Sequence, residues 1–222
     1  MLKAVIFDMD GVIIDSEPVH MKLENEIYKK LGIEVTGDEH HSFVGATSHY
    51  MWEALKNKYK LNQTIEELIE FDRSEYFKHL NSDECEISLI GGVKDLIEDL
   101  HENGIKLAIA SSSPLNVIEA IVKKFQIEEY FEAFVTGDYV NRSKPEPDIF
   151  LFASEKLGVN PKNCVVIEDS HNGVLAARKA GMKCVGINSD VSGSQDISMA
   201  DLVINSFKEV NYIKLIHPFL GK

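Results

Sequence analysis

Two acidic motifs each follow a short apolar run. Asp8-Met9-Asp10-Gly11 follows Ala4-Val5-Ile6-Phe7, and Glu168-Asp169-Ser170 follows Cys164-Val165-Val166-Ile167. Such runs read as buried strands, and in an open parallel sheet the ligand crevice lies at the carboxyl ends of the strands. Asp8 and Asp10 are two residues apart, so in extended chain both side chains point to one side. Gly11 lets the backbone turn sharply or approach a ligand closely. Neighbouring carboxylates raise each other's pKa unless a cation sits between them. Taken alone, the first pair also fits a capping or turn role. With both strands central, four carboxylates converge, and such a cluster is hard to keep ionised without a divalent metal. Oxygen-only ligands favour Mg²⁺ over zinc, and no His/Cys ligand cluster competes. His40, His41 and His49 lack a compatible second ligand set.

Two further stretches could serve an anion. Ser111-Ser112-Ser113-Pro114 closes an apolar run and opens a helical pattern. Hydroxyls followed by N–H groups at a helix N-terminus make an anion site, although serines there also act simply as caps. In Ser143-Lys144-Pro145-Glu146-Pro147 the lysine is held in a stiff extended turn. It could neutralise an anionic ligand and a carboxylate together, or be a solvated surface charge.

The elements that must position these residues alternate. Lys106 to Ala110, Phe134 to Thr136 and Cys184 to Ile187 read as further buried strands, with Leu202 to Ile204 a candidate sixth. Their continuous apolarity suggests a parallel sheet covered on both faces. Val93, Leu96, Ile97 and Leu100 share one helix face. Val117, Ile118, Ile121, Val122 and Phe125 form the next stripe, with Ser113 expected as N-cap and Pro114 at the first helical position. Pro147 to Leu157 and Asn172 to Ala180 read as two more helices. The expectation is an α/β fold, a doubly wound, Rossmann-like parallel sheet. Residues 16–84 break the alternation with helical patterns alone and read as an inserted α-helical domain, the core being 1–15 and 85–222. Ser16 is a plausible N-cap at the first crossing, and Trp52 reads as core of the insertion.

The four chemical stretches, in this order and spacing, resemble the signature motifs of the haloacid dehalogenase superfamily of phosphotransferases. Asp8-Met9-Asp10-Gly11 matches the first motif, Ser111 the second, Lys144 the third and Glu168-Asp169 the fourth. The match covers essentially the whole chain. The run from Asp8 to Pro18 and the run Glu168-Asp169-Ser170-His171-Asn172-Gly173 resemble further the beta-phosphoglucomutase-like branch, which includes sugar-phosphate phosphatases and carries a helical cap inserted after the first motif. The resemblance implies Asp8 as nucleophile and Asp10 as general acid and base, its proton shielded by the cap. It implies Mg²⁺ held by the Asp8 carboxylate, the Asp10 backbone carbonyl and Asp169, with Glu168 directly or through water. It also implies Ser111, Ser112 and Lys144 holding the phosphoryl oxygens. Glu17, His20, Gly45, Thr47 and Ser48 are candidate substrate-facing residues of the cap. Phe43 to His49 resembles the substrate-specificity loop of beta-phosphoglucomutase, yet Val44 and Ser48 stand where that pattern has Lys and Arg, and Pro114 replaces a Lys. The expected activity is hydrolysis of a small phosphate monoester of the sugar-phosphate class. A phosphosugar mutase and a non-catalytic phosphometabolite-binding domain are the alternatives.

Composition narrows the partners. Of 222 residues, 23 are Lys or Arg and 36 are Asp or Glu, a formal net charge of -13. That charge disfavours nucleic acid and anionic membranes, leaving a small phosphorylated metabolite as the expected ligand. No apolar run approaches a membrane span, and the N-terminal apolar stretch is too short for a signal peptide. Cys85, Cys164 and Cys184 form no CxxC and suit a reducing, cytoplasmic setting. No GxxxxGK[ST] occurs, which disfavours an ATP-dependent kinase. The sequence sets no oligomeric state; a monomer is the default expectation.

Overall fold

The computed structural model describes residues 1–41, 43, 48–188 and 195–216. In chain order the elements are β1 (Ala4–Phe7), β2 (Ile14–Asp15), α1 (Glu17–Leu31), α2 (Gly37–His41), α3 (Ser48–Tyr59), α4 (Ile65–Leu80), β3 (Ser88–Leu89) and α5 (Val93–Glu102). They continue with β4 (Lys106–Ser111), α6 (Leu115–Lys124), β5 (Ala133–Thr136), α7 (Asp148–Lys156), β6 (Cys164–Glu168), α8 (His171–Lys179), β7 (Lys183–Ile187), β8 (Leu202–Ile204) and α9 (Tyr212–Ile216). The chain forms two compact units, Met1–Asp15 with Ser88–Lys222, and Ser16–Ile87.

The first unit holds a six-stranded parallel sheet of order β5-β4-β1-β6-β7-β8. Strands β1, β4 and β6 are buried almost throughout because their runs are apolar on both faces. Helices α7 and α8 pack Ile149, Phe150, Ala153, Val174 and Ala177 onto Ile6, Ala108 and Val166. Counted within this sheet, the strand order reverses between β1 and β6, the switch point at which doubly wound folds bind ligands. The expected α/β fold is thus the observed one. A two-residue antiparallel ladder, Ile14 with Leu89 and Asp15 with Ser88, was not expected; it is too short to leave a periodic signal.

The second unit is helical. Ile27, Tyr28, Trp52, Leu55 and Leu68 from α1, α3 and α4 make its core. Helix α4 begins in a capping box, with the Thr64 side chain accepting the Glu67 N–H and the Glu67 carboxylate accepting the Thr64 N–H. Helix α1 ends at Gly32, whose φ of 69° is the left-handed cap conformation.

One local expectation is corrected. Helix α6 starts at Leu115 with Pro114 as its cap residue, and no side chain caps it. The Ser113 hydroxyl donates instead to Asp10 Oδ2 at 2.9 Å. A charge-assisted bond to a carboxylate outcompetes a neutral cap bond.

Candidate active site

Strand β1 lies between β4 and β6, and Phe7 pairs with Ile109 on one side and Ile167 on the other. The Asp8 N–H extends the ladder, donating to the Ile167 carbonyl at 3.0 Å. The chain then folds back on itself. The Ile13 and Ile14 N–H groups both donate to the Met9 carbonyl, at 2.8 and 3.1 Å, and Gly11 sits at φ 75°. That left-handed conformation in the tight turn is what requires glycine there.

Lys144 ties two acidic groups together. Its Nζ donates to Asp8 Oδ1 at 2.8 Å and to Glu168 Oε1 at 2.7 Å, while the ammonium lies 5.1 Å from the centre of the Phe150 ring. Glu168 is fully buried, and its second oxygen accepts the Ser170 N–H at 2.7 Å and the Ser170 hydroxyl at 2.9 Å. Ser170 is also the N-cap of α8, its oxygen accepting the Gly173 N–H at 3.0 Å. One serine thus joins the helix start to the acidic cluster.

Oxygens of Asp8, Glu168 and Asp169 lie within 4.8 Å of one another, and all three residues are buried. Burial pushes the Asp8 carboxyl up to about 7; Lys144 opposes this, and Glu168 and Asp10 reinforce it. Burial works against the Lys144 charge too, but Asp8 and Glu168 outweigh it and hold the ammonium above its ordinary value. Three buried carboxylates converge here, and Lys144 bonds to two of them. A cation would relieve the excess negative charge, and an oxygen-only donor set fits Mg²⁺. Among the described residues this is the cluster of metal-ligating type.

Asp10 is engaged on the opposite flank, toward β4. Besides Ser113, the Ser111 hydroxyl lies 3.5 Å from its Oδ2. Ser111 is buried and accepts the Ser113 N–H at 3.0 Å, so its one proton is left to donate. The two aspartates therefore differ in partner, Asp8 facing an ammonium and Asp10 facing hydroxyls. Ser112, expected beside Ser111, is exposed.

The candidate residues of the helical unit are more scattered. Glu17 opens α1, and His20 stacks on Tyr76 with ring centroids 4.3 Å apart. Ser48 is exposed at the start of α3. Gly45 and Thr47 lie outside the described residues, as does Val44. Sequence reasoning missed the roles of Ser113 and Ser170. For Ser170 a signal was available, since its hydroxyl stands two residues before the helical pattern that begins at Asn172.

Residues 5–187 match the haloacid dehalogenase-like hydrolase family. A phosphorylated carbohydrates phosphatase of Thermotoga maritima is 33% identical over 186 residues, covering 82% of this chain and 83% of its own. A crystal structure of a CbbY variant from Rhodobacter sphaeroides, in complex with xylulose-(1,5)bisphosphate, superposes with a TM-score of 0.82 at 27% identity, over 94% of this chain and 96% of that one. Beta-phosphoglucomutase from Clostridium difficile gives a TM-score of 0.81 at 25% identity, over 97% of this chain and 96% of that one. With its four motifs gathered at the carboxyl edge of the sheet, the chain belongs to the haloacid dehalogenase-like hydrolase family.

Proposed function

We propose that this hydrolase is a Mg²⁺-dependent phosphatase, cleaving a small phosphate monoester of the sugar-phosphate class through an aspartyl-phosphate on Asp8. The observation that carries the reading is the bridge from Lys144 to both Asp8 and Glu168. It holds one carboxylate against a cation at the strand end, where an incoming phosphoryl group would need both. The sugar-phosphate class is carried over from relatives, one a phosphatase of phosphorylated carbohydrates and one crystallised with a pentulose bisphosphate.

In this mechanism Asp8 attacks phosphorus in line, forming the acyl-phosphate bond as the bond to the sugar oxygen breaks. Asp10 gives its proton to the departing oxygen. It then takes a proton from the water that attacks the acyl-phosphate, which releases phosphate and restores Asp8. Lys144, the Ser111 hydroxyl and the Ser112 N–H hold the phosphoryl oxygens. Asp8, the Asp10 carbonyl and Asp169 would hold Mg²⁺, with Glu168 directly or through water. When bound, the ion neutralises the charge spread over those oxygens. We assign substrate selection to the helical unit as a cap domain, with Glu17, His20 and Ser48 as candidates, and place the enzyme in the cytoplasm.

The likeness to beta-phosphoglucomutase supports a mutase as second reading. A mutase must grip a second phosphate, a task that suits an Arg fork. Val44, Ser48 and Pro114 offer no charge where that enzyme's pattern has cations, and Arg73 is the single arginine between residues 16 and 84. The test is a panel of phosphorylated sugars with phosphate release and isomer formation followed together. Phosphate release that depends on Mg²⁺ supports the hydrolase.

A further inference from the structure

Ser113 makes three directed bonds that have one consequence for Asp10. Its hydroxyl donates to Asp10 Oδ2 at 2.9 Å. Its N–H donates to Ser111 Oγ at 3.0 Å, and its carbonyl accepts the Thr136 hydroxyl at 2.8 Å. Thr136 is itself buried at the end of β5, where it pairs with Ser111 across the sheet. The following residue, Gly137, runs so close that a β-carbon there would lie 3.4 Å from the Ser112 α-carbon. The serine segment is therefore braced from β4 and β5 at once, and Ser113 is fixed before it reaches Asp10.

We infer that Ser113 is a positioning residue for Asp10, held in place by Thr136, and that it directs which oxygen of Asp10 carries the transferable proton. The inference rests on the acid–base reading of Asp10. Ser113 has one hydroxyl proton, and that proton points at Oδ2. Oδ2 is thereby an acceptor, so a proton delivered to the leaving oxygen resides on Oδ1. The carboxyl group is also held in one rotamer, which matters because proton transfer needs hydrogen-bond reach and alignment. A serine that bound the substrate instead would act mainly on KM.

The experiment compares an alkyl phosphate, whose leaving oxygen needs a proton, with p-nitrophenyl phosphate, whose leaving group does not. It follows the phosphoryl-transfer step alone, read as leaving-group release in a single turnover so that the later hydrolysis of the acyl-phosphate does not enter, and the concentration that half-saturates it. Ser113→Ala is expected to lower the transfer rate for the alkyl ester by about 10-fold or more, a part of the ~10²–10⁴ available to general acid–base catalysis. The aryl ester's transfer rate should change by less than about threefold, and the half-saturating concentration should move little for either. Ser113→Thr keeps the hydroxyl and should restore the alkyl rate. Thr136→Val, which removes the brace without touching Asp10, should show the same preference for the aryl ester in milder form. In an Asp10→Asn background, Ser113→Ala should add nothing. Equal losses in transfer rate on both esters, or a rise in the half-saturating concentration alone, overturn the inference. If Asp10→Asn itself does not discriminate between the esters, the acid–base reading fails along with it. If Asp10→Asn discriminates and Ser113→Ala does not, the inference alone fails.

Discussion

Gly173 faces Glu168 so closely that a β-carbon built on the glycine would lie 1.7 Å from Glu168 Oε1. The same Oε1 accepts from Lys144 at 2.7 Å. The start of α8 can approach the acidic cluster only because residue 173 has no side chain. Gly173→Ala must therefore push away either the helix or the carboxylate. Overpacking of this kind costs typically 1–3 kcal/mol. The expected result is a lower urea midpoint and a turnover loss larger than that destabilisation explains at temperatures where the variant is folded. Wild-type turnover in a fully folded Gly173→Ala protein would show that the approach does not matter.

Lys144 is the cation between two buried carboxylates, with its side chain only 10% exposed. Lys144→Met keeps the bulk and removes the charge. Breaking a buried pair from one side costs roughly 3–5 kcal/mol, because the remaining charges stay uncompensated. Thermal melts should show that loss in EDTA and recover part of it in millimolar Mg²⁺, while turnover stays low in both. A variant as stable as wild type in EDTA would mean that Asp8 and Glu168 are not ionised together.

The oxygen cluster of Asp8, Glu168 and Asp169 predicts ligand-linked stability in the wild type. Mg²⁺ at about 100 times its dissociation constant should add roughly 2.7 kcal/mol, read as an upward shift in melting temperature that EDTA reverses. Asp169→Asn should abolish the shift while the apo protein stays folded. An identical shift in Asp169→Asn would place the ion elsewhere.

Asp72 in the helical unit gives a pH prediction of its own. Burial pushes its carboxyl up to about 6; Glu24 on α1 adds to this, while His20 on α1, the Trp52 indole N–H at 3.4 Å and Arg73 oppose it. A raised folded-state value means that the folded protein prefers the protonated form. This contribution to stability is full below about 4, the value of an unfolded aspartate, and is lost as pH rises through 6. Asp72→Asn should gain about 1–3 kcal/mol over wild type at pH 8 and nothing near pH 3.5. Urea denaturation of both proteins at the two pH values measures this. A gain that is the same at both values would assign it to packing.

How legible these features were depends on the range of the interactions behind them. Strands β1 and β6 could be read because Ala4 to Phe7 and Cys164 to Ile167 are apolar on both faces, a purely local property. Asp8, Glu168 and Asp169 could be read because they terminate those strands. The cap of α6 could not, because the acceptor that draws Ser113 away lies 103 residues earlier. The same holds for the pairing of Glu168 with Lys144, which spans 24 residues and a helix. In the helical unit the sequence marked Trp52 as core, where it is fully buried, but the stacking of His20 on Tyr76 depends on how α1 meets α4.

The central claim is a covalent bond between Asp8 and phosphorus. Asp10→Asn lacks the base for the second half of the reaction, whereas p-nitrophenyl phosphate needs no acid in the first. Mixing the two in Mg²⁺ should release a burst of nitrophenolate equal to the enzyme present. The acid-quenched protein should then carry a phosphoryl group on the peptide containing Asp8. The double variant with Asp8→Asn should show neither. Steady nitrophenolate release without a burst, from a protein whose Asp8 peptide stays unmodified, would contradict the account.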